Sequence, residues 1–182
     1  NLSLKNINMK FSKTNFKDVY EINYQSFTDN RGFFTKIFSN KSFQKILNFN
    51  IKQVNISTTN EIGSFRGLHY QRKPYAEQKI VFCLKGKIID YIINIDKKSK
   101  DYLKVFCIEI DSKIKNGLLI PSCYAHGFIT LEKDTTVVYL HDKEYSKKHE
   151  MGIKYNDPSI NLNLPMKIKS ISDRDLNHPN II

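Results

Sequence analysis

Segment 63–71, GSFRGLHYQ, carries the densest group of polar side chains that could do acid–base chemistry. Histidine titrates nearest to neutral pH, so His69 is suited to the work of a general base. Arg66 lies three residues earlier, and alternation along a strand would put the two side chains on opposite faces unless Gly67 introduces a bulge. A single histidine in a strand more often packs or faces solvent, so catalysis here depends on the other polar groups that the fold brings to it.

Three further segments carry groups that could join such a site. Lys79 opens an apolar run, where a buried ammonium is costly unless it is paired or used. Pro121 sets a turn that delivers His126 to the head of another apolar run. Tyr139 alternates with its neighbours in a third run, a pattern that core packing explains as well as a role in a site. The tail segment 170–175, SISDRD, adds carboxylates and an arginine.

The segments that carry these groups have the pattern of short β-strands. Apolar, β-branched and aromatic residues predict strands at 80–84, 88–95, 103–110, 117–120, 127–131 and 135–140. Gly86, between the first two, predicts a hairpin turn. Only 40–47 has a helical rhythm, with Phe43, Ile46 and Leu47 on one face. Many short strands without βαβ alternation predict an all-β sandwich or barrel.

Length and composition predict a single globular domain. The chain has 182 residues, of which 40% are hydrophobic and 26% charged, as in ordinary soluble domains. No Pro/Gly-rich linker divides it, so residues 1–182 are predicted as one domain, with the core at about 50–145 and an irregular tail at 157–182. No apolar run approaches the roughly 20 residues of a membrane helix. Residues 1–16 lack the apolar centre of a secretory signal, which favours the cytoplasm.

The charge balance favours an anionic partner. Lys and Arg number 29 against 18 Asp and Glu, a formal net charge of +11. The lysines are spread along the chain and the phenylalanines lie in apolar runs, which argues against nucleic-acid binding. Cys83, Cys107 and Cys123 are widely spaced without a CxxC pair, so they are predicted as buried thiols in strands of a protein from a reducing compartment.

The histidines do not have the spacing of a metal-binding cupin. Such barrels use an HxH pair with a Glu and a later His, whereas Tyr70 and Gln71 follow His69. His141 and His149 lie in a Lys-rich stretch and are predicted at the surface. The sequence also lacks GxGxxG, Walker and GxSxG motifs. We therefore predict neither a metal nor a cofactor.

Seven short segments, taken in order, resemble the dTDP-4-dehydrorhamnose 3,5-epimerase family. They are DNRGFF (29–34), QVNIS (53–57), RGLHYQ (66–71), QKIV (78–81), AHGF (125–128), NDP (156–158) and ISDRD (171–175). RGLHYQ and AHGF at this spacing are the most specific. The resemblance implies a cupin-like jelly roll without a metal, forming a homodimer. It also implies a substrate in which a nucleotide diphosphate carries a 4-keto-6-deoxy sugar, on the way to a surface polysaccharide.

The resemblance gives the polar groups roles in one reaction. A ketone at C4 acidifies the C–H bonds at C3 and C5, so either carbon, or both, can be inverted through an enolate. By resemblance His69 is the base and Asp175 its partner, which fixes the tautomer and stabilises the imidazolium. Tyr139 is then the acid on the opposite face, and Lys79 stabilises the enolate oxygen.

The resemblance also implies a set of substrate ligands. Arg31 belongs to a segment that can reach the partner subunit's site, and Tyr145 to a position that stacks on the nucleotide base. Lys36 stands where the family often has a Glu connected with nucleotide recognition, and the reversed charge leaves dTDP, GDP and CDP open as the carrier. The remaining positions are Gln53, Asn55, Arg66, His126, Glu150 and Arg174.

Other functions compatible with these residues are an epimerase of C3 alone or C5 alone, a 3,4-ketoisomerase on a related sugar, and a non-catalytic cupin that binds sugar nucleotides. A basic nucleic-acid-binding barrel fits least well.

Overall fold

The computed structural model describes residues 9–181 and contains fourteen strands and two short helices in that range. Residues 1–8, which begin the segment predicted to lack a secretory signal, lie outside the described residues. Across residues 9–181, no helix is long and apolar enough to cross a membrane. The predicted all-β architecture is confirmed.

Two sheets form the body of the fold. The first is antiparallel, with the order β1 (Met9–Lys13), β2 (Tyr20–Tyr24), β10 (Asn116–Ile120), β7 (Lys79–Lys85), β12 (Thr135–His141) and β5 (Gln53–Thr59). The second has the order β13 (Glu150–Gly152), β6 (Ser64–Gln71), β11 (Tyr124–Thr130), β8 (Lys87–Asn94) and β9 (Val105–Asp111). The short strand β14 (Ser170–Ile171) pairs in parallel with the first two residues of β6. Outside the sheets are the hairpin β3 (Ser26–Asp29) and β4 (Gly32–Thr35), and the helices α1 (Asn40–Phe43) and α2 (Asp173–Leu176).

The main core lies between the sheets. Val81 and Val137 from the first sheet pack with Ile88, Ile92 and Phe128 from the second, and all five are almost wholly buried. Each such side chain contributes about 1.5–3 kcal/mol relative to its exposed state. The two sheets are therefore held face to face, and polar groups between them sit in an apolar setting.

The hairpin predicted at Gly86 is wrong. The strands on either side, β7 and β8, belong to different sheets. Gly86 has a positive φ of 80°, and a side chain on it would overlap Thr135. A glycine bend that carries the chain across to the facing sheet gives the same sequence signal as a hairpin turn, because both need the left-handed backbone conformation.

The helical prediction for 40–47 is too long, although its apolar face is confirmed. Helix α1 ends at Phe43, which is fully buried and stacks on Phe38 with ring centroids 4.9 Å apart. Ile46 and Leu47 follow in turns and pack against the same cluster.

The prediction of buried thiols in strands is confirmed for Cys83. It is wrong for Cys107, which is exposed, and for Cys123, which is half-buried and precedes its strand.

Candidate active site

A cavity of about 680 Å³ opens between strands of the two sheets and reaches helix α2. The sequence assigned thirteen residues to a site, and ten of them line this cavity. They are His69, Lys79, Tyr139, Asp175, Asn55, Arg66, His126, Tyr145, Glu150 and Arg174. The four residues expected to do the chemistry are all in this set.

A bulge in β6 brings Arg66 and His69 to the same cavity. In the pairing with β11, His69 lies opposite His126 and Arg66 opposite Phe128, so β6 has one residue more than β11 over this interval. Gly67 has a φ of 133°, and a Cβ on it would lie 2.5 Å from the Cα of Gly127. The bulge that the sequence required for Arg66 and His69 to share a site is therefore present, and it depends on this close approach of two glycines.

Asp175 fixes one edge of the His69 ring. Nε2 of His69 donates to Oδ1 of Asp175 at 2.8 Å, and the backbone N–H of Gly67 donates to Oδ2 at 3.0 Å. Ser172 caps α2 by accepting from the backbone N–H of Asp175, which is 3% exposed. Burial opposes ionisation, but the hydrogen bond and charge of His69, with smaller effects of Gly67 and Arg174, hold the pKa of Asp175 well below its usual range. The carboxylate is charged at neutral pH and can stabilise an imidazolium.

Arg174 and Glu150 connect this pair to the outer part of the cavity. Nη2 of Arg174 lies 3.3 Å from Nε2 of His69, and Nη1 donates to Oε1 of Glu150 at 3.0 Å. The hydroxyl of Tyr145 donates to Oε2 of Glu150 at 2.8 Å. The Tyr145 ring is about half exposed and presents a flat apolar surface at the cavity mouth.

Lys79 is buried, and it has a partner that the sequence reasoning missed. Its Nζ lies 2.9 Å from Oε1 of Glu77 and 3.4 Å from the backbone oxygen of His69, to which it donates. The Glu77 carboxylate also accepts from the side-chain amide of Gln71. A glutamate two residues before a buried lysine was the available signal, since such residues share a face of an extended chain.

His126 has a second missed partner, Asp90. Nε2 of His126 donates to Oδ1 of Asp90 at 2.6 Å, and the Asp90 side chain is fully buried. Burial raises the pKa of Asp90, although the charge and hydrogen bond of His126 act in the opposite direction. The signal was a carboxylate inside the apolar run 88–95, alternating with Ile88 and Ile92, which both face the core.

Tyr139 and His141 point into the cavity from β12, two residues apart. Burial, followed by the negative charge of Asp90, raises the pKa of Tyr139 well above its ordinary value, so the phenol keeps its proton. The prediction that His141 lies at the surface is wrong, because it lines the cavity. Burial, then the charges of Lys79 and His126, lowers the pKa of His141 to about 3. Its Nε2 lies 3.4 Å from Nδ2 of Asn55, which can donate to the neutral ring.

Three of the thirteen residues lie outside the cavity lining. Gln53 contacts two lining residues, accepting from the backbone N–H of Tyr145 at 2.7 Å and donating to Oδ1 of Asn55 at 3.0 Å. Arg31 lies in the turn of the β3–β4 hairpin, exposed and ion-paired with Asp29 at 2.7 Å. Lys36 follows β4 directly. The hairpin and its flank therefore contribute nothing to the cavity of their own chain within residues 9–181.

This arrangement can move protons next to a carbonyl group. It combines an imidazole on a carboxylate, a protonated phenol and a buried ammonium around one space. The first can accept a proton, the second can donate one, and the third can stabilise negative charge on oxygen.

The chain is similar in sequence and in structure to known epimerases. The profile of the dTDP-4-dehydrorhamnose 3,5-epimerase family matches residues 13–182. A Sinorhizobium fredii relative of that name is 34% identical over 175 residues, 95% of this chain and 90% of the relative. One from Shigella flexneri is 36% identical over 171 residues, 93% of this chain and 94% of the relative. A Bacillus anthracis structure with TDP and PPi bound has a TM-score of 0.92 at 32% identity, covering 96% of this chain and 100% of that one.

A Legionella pneumophila epimerase in complex with dTDP-4-keto-L-rhamnose has a TM-score of 0.90 at 26% identity, covering 95% of this chain and 93% of that one. The predicted cupin-like jelly roll is confirmed by these structures. The protein is an epimerase, and hence an isomerase, as the sequence predicted. The chain belongs to the dTDP-4-dehydrorhamnose 3,5-epimerase family.

Proposed function

We propose that this epimerase inverts C3 and C5 of a dTDP-linked 4-keto-6-deoxy sugar, with His69 as the base. The observation that carries the proposal is the position of His69 and Tyr139 in one cavity, the first on an ionised carboxylate and the second protonated. Epimerisation next to a ketone needs a base and an acid; an imidazole held by a carboxylate can accept a proton, and the protonated phenol can donate one.

The reaction balances without a cofactor. Because Nε2–H of His69 donates to Asp175, the ring's lone pair is on Nδ1, which takes the proton from the carbon beside the ketone. The electron pair of that C–H bond moves onto the C4 oxygen, where the Lys79 ammonium stabilises the enolate. Tyr139 then gives its proton to the other face of the same carbon, and the electron pair returns from the C4 oxygen to re-form the ketone. Solvent returns a proton to the tyrosinate, and the His69 imidazolium releases its proton to solvent. The sugar is neither oxidised nor reduced.

The outer cavity would hold the nucleotide diphosphate. Arg66 and Arg174 present guanidinium groups there, and a guanidinium can bind two oxygens of a phosphate at once. The Tyr145 ring is half exposed and its hydroxyl is bonded to Glu150, and it would stack on the base. Asn55, Gln53 and His126 complete the proposed ligand set.

A homodimer accounts for the hairpin residues. Phe33 and Phe34 on β4 are 65% and 52% exposed, and Val54 and Ile56 on β5 are 55% and 66% exposed. Exposed apolar groups of this size favour burial against a second copy. Arg31 and Lys36 would then act in the partner subunit's site, where Lys36 would influence the choice of nucleotide. We place the reaction in the cytoplasm, in the supply of deoxysugars for surface polysaccharide.

Proton NMR in D₂O tests the proposal. The enzyme is incubated with 4-keto-6-deoxyglucose linked to dTDP, GDP or CDP, and the C3 and C5 proton signals are followed. We expect both signals to disappear with the dTDP sugar, and His69→Ala to abolish the loss. Loss of the C3 signal alone, or of the C5 signal alone, would show that the enzyme inverts only that carbon. Movement of the ketone from C4 to C3 would identify a ketoisomerase. Exchange that persists in His69→Ala would overturn the assignment of the base.

A further inference from the structure

His178 lies against the His69–Asp175 pair, and the reaction described above does not use it. Its Nε2 is 3.5 Å from Oδ1 of Asp175, and its ring meets the His69 ring edge to face with centroids 5.4 Å apart. The side chain is only 11% exposed, and Nε2 is buried without a hydrogen-bond partner within residues 9–181. A buried polar atom left in this way is costly unless it has a ligand.

The fold builds a place for this ring. Gly152 on β13 lies beneath it, and a Cβ at that position would overlap three atoms of the imidazole. The segment after α2 is held to the body of the protein, because the backbone N–H of Lys154 donates to the oxygen of Pro179 at 3.0 Å and that of Ile181 donates to Asp157. The His178 ring is therefore held in a fixed position beside Asp175.

We propose that His69, Asp175 and His178 form a site for a divalent transition-metal ion such as Zn²⁺, and that the ion inhibits the enzyme. One nitrogen of each histidine and one oxygen of Asp175 lie within 4.8 Å of one another. Ligand atoms of tetrahedral Zn²⁺ are about 3.4 Å apart, and Oδ1 of Asp175 lies 2.8 Å from Nε2 of His69 and 3.5 Å from Nε2 of His178. Two imidazoles and a carboxylate form a donor set that suits Zn²⁺ and its neighbours in the first transition row.

The ionised side chains nearest to Asp175 sum to a negative charge, although the Arg174 guanidinium also lies 3.3 Å from Nε2 of His69 and would have to turn away from an ion bound there. Arg174 lies 3.5 Å from Asp175, but its guanidinium is ion-paired with Glu150 at 3.0 Å. Arg174, Glu150 and Asp175 together carry one net negative charge. The cavity supplies space for a water or a ligand oxygen at the remaining coordination position.

Inhibition follows from the tautomer of His69 and rests on the role proposed for it above. The ion takes Nε2 of His69 in place of the hydrogen bond to Asp175, and the Nε2 proton moves to Nδ1. Nδ1 then has no lone pair with which to accept a proton from the sugar. The same ion would also hold Asp175 away from its task of stabilising the imidazolium.

Metal binding is measured first, because it does not depend on activity. The EDTA-treated, dialysed protein is titrated with Zn²⁺ by calorimetry and with Co²⁺ by its visible absorption. We expect one ion per chain for the wild type and affinity lowered by about 10- to 100-fold or more in His178→Ala, since even outer-shell partners of a metal are worth that much. His178→Phe keeps an aromatic ring at this position but has no ligand nitrogen, so its affinity for the ion should fall as much as that of His178→Ala. His149→Ala is the matched control, because His149 is also half-buried but stacks on Tyr75, bonds to Ser146 and is not part of the three-residue cluster.

Inhibition is measured next, with each variant compared with its own metal-free rate. Zn²⁺ should inhibit the wild type and His149→Ala at the concentrations that bind, and both His178 variants should resist it by the same factor as their loss of affinity. No saturable binding, or binding that neither His178 variant weakens, would overturn the site. Binding without inhibition would overturn its effect on the base. A chain that binds Zn²⁺ but epimerises no sugar would contradict the proposed function and leave the metal site standing.

Discussion

Replacing Asp175 with Asn tests whether the carboxylate that binds His69 supports that histidine as the base. The carboxylate accepts from His69 at 2.8 Å and from the Gly67 backbone at 3.0 Å. An amide of the same shape can keep the second contact but loses the charge that is proposed to stabilise the imidazolium. A hydrogen bond to a charged group contributes about 1.5–3 kcal/mol. Since about 1.4 kcal/mol is a factor of ten in rate, we expect kcat to fall about 10- to 150-fold.

The assay is deuterium incorporation from D₂O at C3 and C5, because it reads proton abstraction directly. Asp173→Asn is the matched control, since Asp173 is an acidic residue of the same first helical turn but is exposed. We expect exchange by Asp173→Asn to match the wild type. If Asp175→Asn also exchanged at the wild-type rate, Asp175 would not stabilise the imidazolium, and the proposed pairing of charge in the reaction would be refuted.

The same carboxylate gives stability a pH dependence of definite sign. The pKa of Asp175 is lower in the folded protein than its ordinary value of 3.8, because His69, Gly67 and Arg174 outweigh the effect of burial. A group whose folded-state pKa is depressed stabilises the protein above its unfolded pKa, and this contribution is lost as the pH falls towards the folded value. Urea unfolding should therefore show the wild type losing more free energy of unfolding than Asp175→Asn between about pH 5 and pH 2. Parallel curves would contradict the low pKa.

Three further substitutions test neighbouring parts of the site. Tyr139→Phe should slow epimerisation more than deuterium exchange, because abstraction does not need the phenol proton; equal losses would make Tyr139 structural. Gly127→Ala puts a Cβ 2.7 Å from the backbone oxygen of Arg66, so urea unfolding should show a free energy of unfolding lower by about 1–3 kcal/mol. An unchanged free energy would mean that β6 and β11 can move apart at this point without cost. Glu77→Gln leaves the buried Lys79 ammonium without its counter-charge and should lower the free energy of unfolding by about 3–5 kcal/mol. An unchanged free energy would show that water reaches Lys79.

The residues that meet in the cavity could be predicted because their motifs are local. His69, Lys79, Tyr139 and Asp175 were each marked by a polar group in an apolar or turn setting, together with the resemblance. The path of the chain between sheets was harder to predict. At Gly86 the backbone conformation is the same for a hairpin and for a crossing, and only the long-range pairing of β7 with β10 and β12 decides between them.

His141 shows how local composition can mislead. The charged residues after it suggested a solvent-exposed stretch, but His141 is the last residue of β12 and lies opposite Lys79 on β7. Position i+2 from Tyr139 puts both side chains on the cavity face. The two-residue period of the strand therefore predicts the position of His141 correctly. The lysines that follow lie beyond the end of the strand and say nothing about it.

The missed partners follow from a physical rule that can be applied to a sequence. A charge or imidazole buried between sheets needs a counter-group, since an unpaired buried charge is costly. Lys79 predicts a carboxylate on its own face of the extended chain, where Glu77 stands. His126 predicts a carboxylate on a neighbouring strand, and Asp90 stands on β8 beside it, on the face that Ile88 and Ile92 turn to the core. Each isolated acidic residue in an otherwise apolar strand should thus be read together with the nearest buried base, because burial of either one requires the other.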